Sequence, residues 1–174
     1  IPHTNRGLSA SSVAALGFVA ITIMAGVVRA APSVRVGAFV HFAGGTDGTT
    51  ADLVEGTGTA ARFKNPQECF EHGTDLFIAD AQNHGIRKVG LDTAATSHFA
   101  GSPSGTAGTA TGTGTSAQFD SPGGFIRLSD GATAVTVDRN AHCMRKIVLA
   151  TAVVTDLVGL CGTSGFAAGT GTDA

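Results

Sequence analysis

Two stretches of this 174-residue chain are copies of one another, set about 57 residues apart. HFAGG (His41–Gly45) returns as HFAGS (His98–Ser102), and GTGTAARFKNP (Gly56–Pro66) returns as GTGTSAQFDSP (Gly112–Pro122). LFIADAQNHGIRKV (Leu76–Val89) returns as AVTVDRNAHCMRKI (Ala134–Ile147). The offsets agree: 57 from His41 to His98, 56 from Pro66 to Pro122, 58 from Asp80 to Asp138. A third copy opens at Asp156 with DLVGLCG and reaches GTGTDA at Ala174. A fixed period of this length makes the repeat the folding unit, because one unit alone cannot bury its apolar face.

Each unit reads as short β-strands separated by turns. Leu76–Ala79 and Ala134–Val137 are compact β-favourable runs, preceded by the turn residues His72-Gly73-Thr74-Asp75 and Ser129-Asp130-Gly131. Asp80 and Asn83, echoed by Asp138 and Asn140, mark the next turn; Gly85–Val89 and Cys143–Ile147 then form a second strand, and Thr96–Ala100 and Val153–Val158 a third. Three to four strands per unit fit one blade of a β-propeller. The Gly/Thr/Ser stretches 101–115 and 162–172 recur at one place in the unit, as ordered connections between blades would.

The order AGG, then G-x-G-x-A-x-F-x-x-P, then LFIAD-x-x-N-H-x-IRKV resembles the NHL repeat. Ala43-Gly44-Gly45, Gly56, Gly58, Ala61, Phe63, Pro66, Leu76 to Asp80, Asn83, His84 and Ile86 to Val89 carry it in the first copy. Gly112, Gly114, Ala117, Phe119, Pro122, Gly123, Val137, Asp138, His142 and Arg145 to Ile147 carry it more loosely in the second, where Ala134 replaces Leu76 and Asn140 is shifted one place from Asn83. The resemblance implies an all-β chain, a partial β-propeller of NHL-type blades at about 41–100 and 98–158, with an incomplete blade at 156–174. Two blades do not close a ring. They leave strand edges and a blade face for further repeats, a partner or another copy to cover, and the break within a motif at GTGTDA favours further repeats as the expectation.

Residues 1–32 form a separate N-terminal segment ahead of the blades at 33–174. Ser11–Val28 (SSVAALGFVAITIMAGVV) is uncharged, mostly apolar and bounded by Arg6 and Arg29, on the border between a signal-peptide core and a short transmembrane helix. The expectation is a retained helix at about 11–28 that places the chain in a membrane as a single-pass protein, organellar or at the cell surface. The alternative is secretion after cleavage near Ala30.

The recurring Asp80, Asn83 and His84, with Asp138, Asn140 and His142, offer a carboxylate, an amide and an imidazole, a set suited to acid–base work or a metal. Recurrence in each unit argues for structure, since an active site normally exists once; the expected role is capping turns through nearby backbone amides. Arg87-Lys88 and Arg145-Lys146 read as a solvated strand face. His41 and His98 read as structural. GTGTAA and GTGTSA lack the Lys-Ser/Thr and strand-loop-helix context of a phosphate loop. No catalytic, cofactor-binding or metal residue is assigned. Cys69, Cys143 and Cys161 show no metal-ligand spacing; Cys143 and Cys161 are either a disulfide or buried thiols.

Charge narrows the partners. Residues 1–46 carry three arginines and no acid, leaving 8 basic and 13 acidic residues, a balance of −5, for the rest. No basic face marks a nucleic-acid binder. The expected function is therefore a non-catalytic scaffold, tethered to a lipid bilayer through residues 11–28. Its partners would be other protein subunits of a membrane complex, respiratory or photosynthetic. The alternative is a fragment of a propeller enzyme resembling lyases or lactonases, or an exported ligand-binding propeller.

Overall fold

The computed structural model describes residues 41–45, 52–165 and 168–173. The apolar segment 11–28 lies outside the described residues, among which no helix is long and apolar enough to cross a membrane. The described chain is all β, with two antiparallel sheets of five strands linked by 3-10 turns of three residues.

The first sheet comprises β1 (Gly56–Thr57), β2 (Pro66–His72), β3 (Asp75–Asp80), β4 (Gly85–Gly90) and β5 (Ala95–Gly101), in spatial order β1-β5-β4-β3-β2. The second repeats it with β6 (Gly112–Thr113), β7 (Pro122–Arg127), β8 (Thr133–Asp138), β9 (Cys143–Val148) and β10 (Val153–Val158), in order β6-β10-β9-β8-β7. Each sheet is a four-strand meander whose outer edge is closed by the short strand that precedes it in the chain. The three strands expected per unit are present. β2 and β7 were not expected, because PQECFEH and PGGFIR mix polar, glycine and apolar residues without a clean alternation.

Even the irregularities repeat. The ladder slips between Pro66 and Cys69 and again between Pro122 and Phe125. It slips beside Arg87, between β4 and β5, and beside Arg145, between β9 and β10. A bulge re-aims side chains locally, and the second pair of slips lies next to the buried arginines.

The sheets pack face to face. Phe77, Ala79, Ile86 and Ala100 of the first sheet share a core with Phe119, Phe125, Ala134 and Ile147. Phe70 stacks on Phe77 at 5.6 Å and tilts against Phe125 at 4.6 Å, while Phe99 meets Phe77 edge-on at 4.8 Å, arrangements that suit the ring quadrupoles. Leu76, Ile78 and Val89 point the other way and cluster with Ala43. Strand β3 is thus buried on both faces, as its unbroken LFIAD run requires. Its counterpart β8 is not, since Val137 is 40% exposed.

Where β5 ends, Gly101 adopts φ +110°, and a Cβ there would lie 2.7 Å from the carbonyl oxygen of His84. Only glycine permits that approach.

Cys143 and Cys161 form a disulfide across 18 residues, so of the two readings open from the sequence the bridge is the one realised. The first sheet has no room for it. Gly85 stands where Cys143 does, and a Cβ on Gly85 would fall 2.9 Å from the ring of His98. In the second sheet Asp156 faces Arg145 at the register where His98 faces Arg87, and the shorter side chain leaves space for the cysteine. Cys69 is a free, exposed thiol.

Candidate functional site

The repeated polar residues assemble into two buried clamps. Asp80 accepts hydrogen bonds from the backbone N–H of Lys64 (2.8 Å), from Nδ2 of Asn83 (2.8 Å) and from Nη1 of Arg87 (3.2 Å). Arg87 also donates to the carbonyls of Arg62 (3.1 Å) and Val54 (3.0 Å), with its guanidinium 5.2 Å from the ring centre of Phe63. The second copy repeats this arrangement except for the asparagine. Asp138 accepts from the N–H of Asp120 (2.7 Å) and from Arg145 (3.3 Å), and Arg145 donates to Gln118 and Ala110 carbonyls, each at 3.0 Å. Its guanidinium lies 5.4 Å from the centre of the Phe119 ring.

This geometry corrects two expectations. The Arg-Lys pairs are not a solvated face: Arg87 and Arg145 are wholly buried. Strand alternation splits each pair, sending the arginine inward, while Lys88 stays partly exposed and pairs with Asp75 at 3.4 Å. Nor do the aspartates cap their own turns; they hold the backbone 16 and 18 residues upstream. Asn140 falls outside the clamp, bonding Asp120 at 3.2 Å, and Ala141 fills the buried place of Asn83. Asp156 Oδ1 lies 2.9 Å from Nε of Arg145, a charge contact whose geometry is off-line for a hydrogen bond. Nε of Arg87 likewise has no hydrogen-bond partner.

Burial pushes Asp80 up to about 6 in spite of its hydrogen bonds and the Arg87 charge, and burial pushes Asp138 up to about 6 as well. Desolvation of the carboxylate outweighs the partners that favour the ionised form. A folded pKa above the unfolded value of 3.8 means that the folded chain binds more protons between pH 4 and 6. These two groups therefore favour folding most at the acid end, and that contribution is lost as pH rises through 6. Comparing wild type with Asp138→Asn by urea unfolding should show wild type gaining relative to the variant as pH falls from 7 to 4.5. A difference independent of pH would contradict the assignment.

His41, His98 and His84 each contact backbone. Nε2 of His41 is 2.8 Å from the Gly44 carbonyl, and Nε2 of His98 is 2.9 Å from that of Gly101. Burial holds His98 below the usual imidazole range. His84 closes a 3-10 turn in the left-handed conformation and links the two sheets. Its Nδ1 accepts the N–H of Ser121 at 3.2 Å and lies 3.4 Å from Asp120. The carboxylate of Glu68, on edge strand β2, accepts the N–H of Phe125 on edge strand β7 at 3.0 Å.

The second sheet carries an apolar face of its own. Cross-strand pairing aligns Ile126 with Val135, and Val137 with Met144 and then Val158. Ile126 is 55% exposed, and Val137 and Val158 are also exposed. The matching positions on the first sheet, Phe70, Phe77, Ala79 and Ile86, are those that the second sheet covers. Among the described residues no group of three His, Cys, Asp or Glu side chains is placed to hold a metal ion.

No protein-family model and no curated protein matches the chain. Solved structures do. One named "Putative phosphatase" from Bacteroides thetaiotaomicron superposes with a TM-score of 0.53 at 23% identity, covering 62% of this chain and 26% of that one. An auxiliary nutrient binding protein from the same organism gives 0.50 at 23% identity, with the same coverages. The fold is shared. This chain spans about a quarter of the length of either structure, and at such identity the likeness speaks to the fold alone.

Proposed function

We propose that the chain is a non-catalytic interaction module built from NHL-type β-propeller blades, one blade to each five-stranded sheet. It acts as an accessory subunit that docks onto other proteins of a membrane complex, respiratory or photosynthetic. The observation that carries this reading is the exposed apolar face of the second sheet, whose counterpart on the first sheet is the main core. Faces of this kind mark contact surfaces. The polar groups that recur in the repeat are meanwhile engaged in holding backbone. The tether is carried by the sequence of residues 11–28.

Membranes from the source, solubilised in mild detergent and run on a native gradient, provide the test. The protein is expected to migrate with a larger assembly and to leave it when residues 11–28 are deleted. A soluble monomer lacking residues 1–30 would overturn the proposal.

The disulfide favours a second reading, an exported ligand-binding or lyase- or lactonase-like propeller, because such bridges persist in oxidising compartments. Recovery of a mature protein starting just after Ala30 from the extracellular fraction, together with a divalent metal bound at stoichiometric level, would replace the first reading with this one.

A further inference from the structure

The two copies fasten the same stretch of backbone by different chemistry. In the first, Nε2 of His98 lies 2.9 Å from the Gly101 carbonyl, and the hydroxyls of Ser102, Ser104 and Thr106 form a hydrogen-bonded chain just beyond it. In the second, the chain leaving β10 is tied to the first residue of β9 by the Cys143–Cys161 bridge. A sheet of this kind does not need the covalent link. The first sheet has five strands in the equivalent order without one.

What depends on the bridge is local. Among the described residues between 160 and 172 none is buried, and Leu160 is 59% exposed. Besides the sulfurs, the Gly162 N–H donates to the Ala141 carbonyl at 2.8 Å, and the Gly159 N–H to that of Gly171 at 3.2 Å. A stretch with so few buried contacts opens at low free-energy cost unless it is tied down.

The two sulfurs are not equally reachable. Cys143 is 5% exposed, whereas Cys161 is half-buried. Thiol–disulfide exchange requires a thiolate to reach one sulfur while the other leaves, so attack falls on Cys161. Oδ1 of Asp156 lies 3.3 Å from Sγ of Cys161, placed to accept the thiol proton once the bridge is open. A hydrogen bond of that kind stabilises the reduced form and makes a bridge easier to open.

We propose that Cys143–Cys161 is a site of thiol–disulfide exchange for dithiol reductants and a reversible latch on the chain leaving β10. A thiolate of the dithiol attacks Sγ of Cys161, forms a mixed disulfide with it and expels Cys143 as a thiolate, which takes up a proton. The second thiol of the reductant then displaces Cys161 as a thiol and closes the reductant into its own disulfide. Two electrons and two protons have passed to the bridge. Residues 160–165 then open far more often, while both sheets persist. The proposal does not depend on the scaffold reading.

The test uses the full chain with Cys69→Ser, which removes the other thiol, in native buffer with and without dithiothreitol. Two thiols should become available to iodoacetamide. Amide hydrogen exchange over residues 160–165, followed by mass spectrometry, should speed up at least about tenfold, while β3 and β8 stay within about twofold. Reoxidation should restore the slow rate. A Cys143→Ser/Cys161→Ser variant should exchange at the reduced rate and ignore dithiothreitol. A bridge that dithiothreitol does not open in the folded protein overturns the proposal. So does an unchanged rate over residues 160–165 after reduction, or a response to dithiothreitol in the double variant. Loss of protection throughout both sheets also overturns it, because the bridge is then a condition of folding and not a latch. None of these results affects co-migration of the native protein with a membrane assembly, so this inference and the scaffold reading fail separately.

Discussion

Replacing Arg145 with Ala is expected to cost about 3–5 kcal/mol, the range seen when one partner of a buried ion pair is removed. The substitution strands Asp138 as a fully buried carboxylate, leaves the carbonyls of Gln118 and Ala110 without their donor, and removes the cation from the Phe119 ring. Domains of this kind have a total stability of about 5–15 kcal/mol, so the loss takes a large share. Urea unfolding should show a lowered midpoint with an unchanged slope. Arg145→Lys should recover little, because an ammonium lacks the planar fork that reaches two carbonyls and a carboxylate at once. The Arg145→Ala/Asp138→Ala pair should cost less than the sum of the single changes, since removing both partners removes the stranded charge. Strict additivity would show that the pair is not coupled.

Phe125→Ala should cost a similar amount, about 3–5 kcal/mol, through the lost burial and the cavity it leaves. Phe125 is 2% exposed and fills the seam between the sheets against Phe70. Its neighbour Ile126 points to the opposite face, and Ile126→Ala in the same chain should change stability by no more than about 0.5 kcal/mol. Equal losses from the two adjacent substitutions would contradict the assignment of faces. Thermal unfolding followed by circular dichroism distinguishes the cases.

The strands and turns were legible because the repeat showed the same β-favourable run, turn residues and offset twice. β2 and β7 were not, since their residues serve an edge of the sheet and carry no single period. The clamps were half legible. Asp80 and Asp138 stood out, and an arginine seven residues after each was the available signal. Reading Arg-Lys as a surface pair missed that neighbouring strand residues point to opposite faces. The carbonyls that Arg87 and Arg145 engage lie 25 to 35 residues upstream in loops of glycine, threonine and alanine, where composition says nothing about an acceptor. The apolar face of the second sheet needed the structure, because Val135 and Val137 look alike in sequence and only packing shows one buried and the other open.

The exchange of Gly85 and His98 in one copy for Cys143 and Asp156 in the other makes two fastenings alternatives. A Cβ at Gly85 would meet the His98 ring at 2.9 Å, so the copy that holds the imidazole on the Gly101 carbonyl has no cysteine there, and the copy with the Cys143–Cys161 bridge has an aspartate in the imidazole's place. One copy is thereby fastened by a hydrogen bond and the other by a covalent link that a reductant opens.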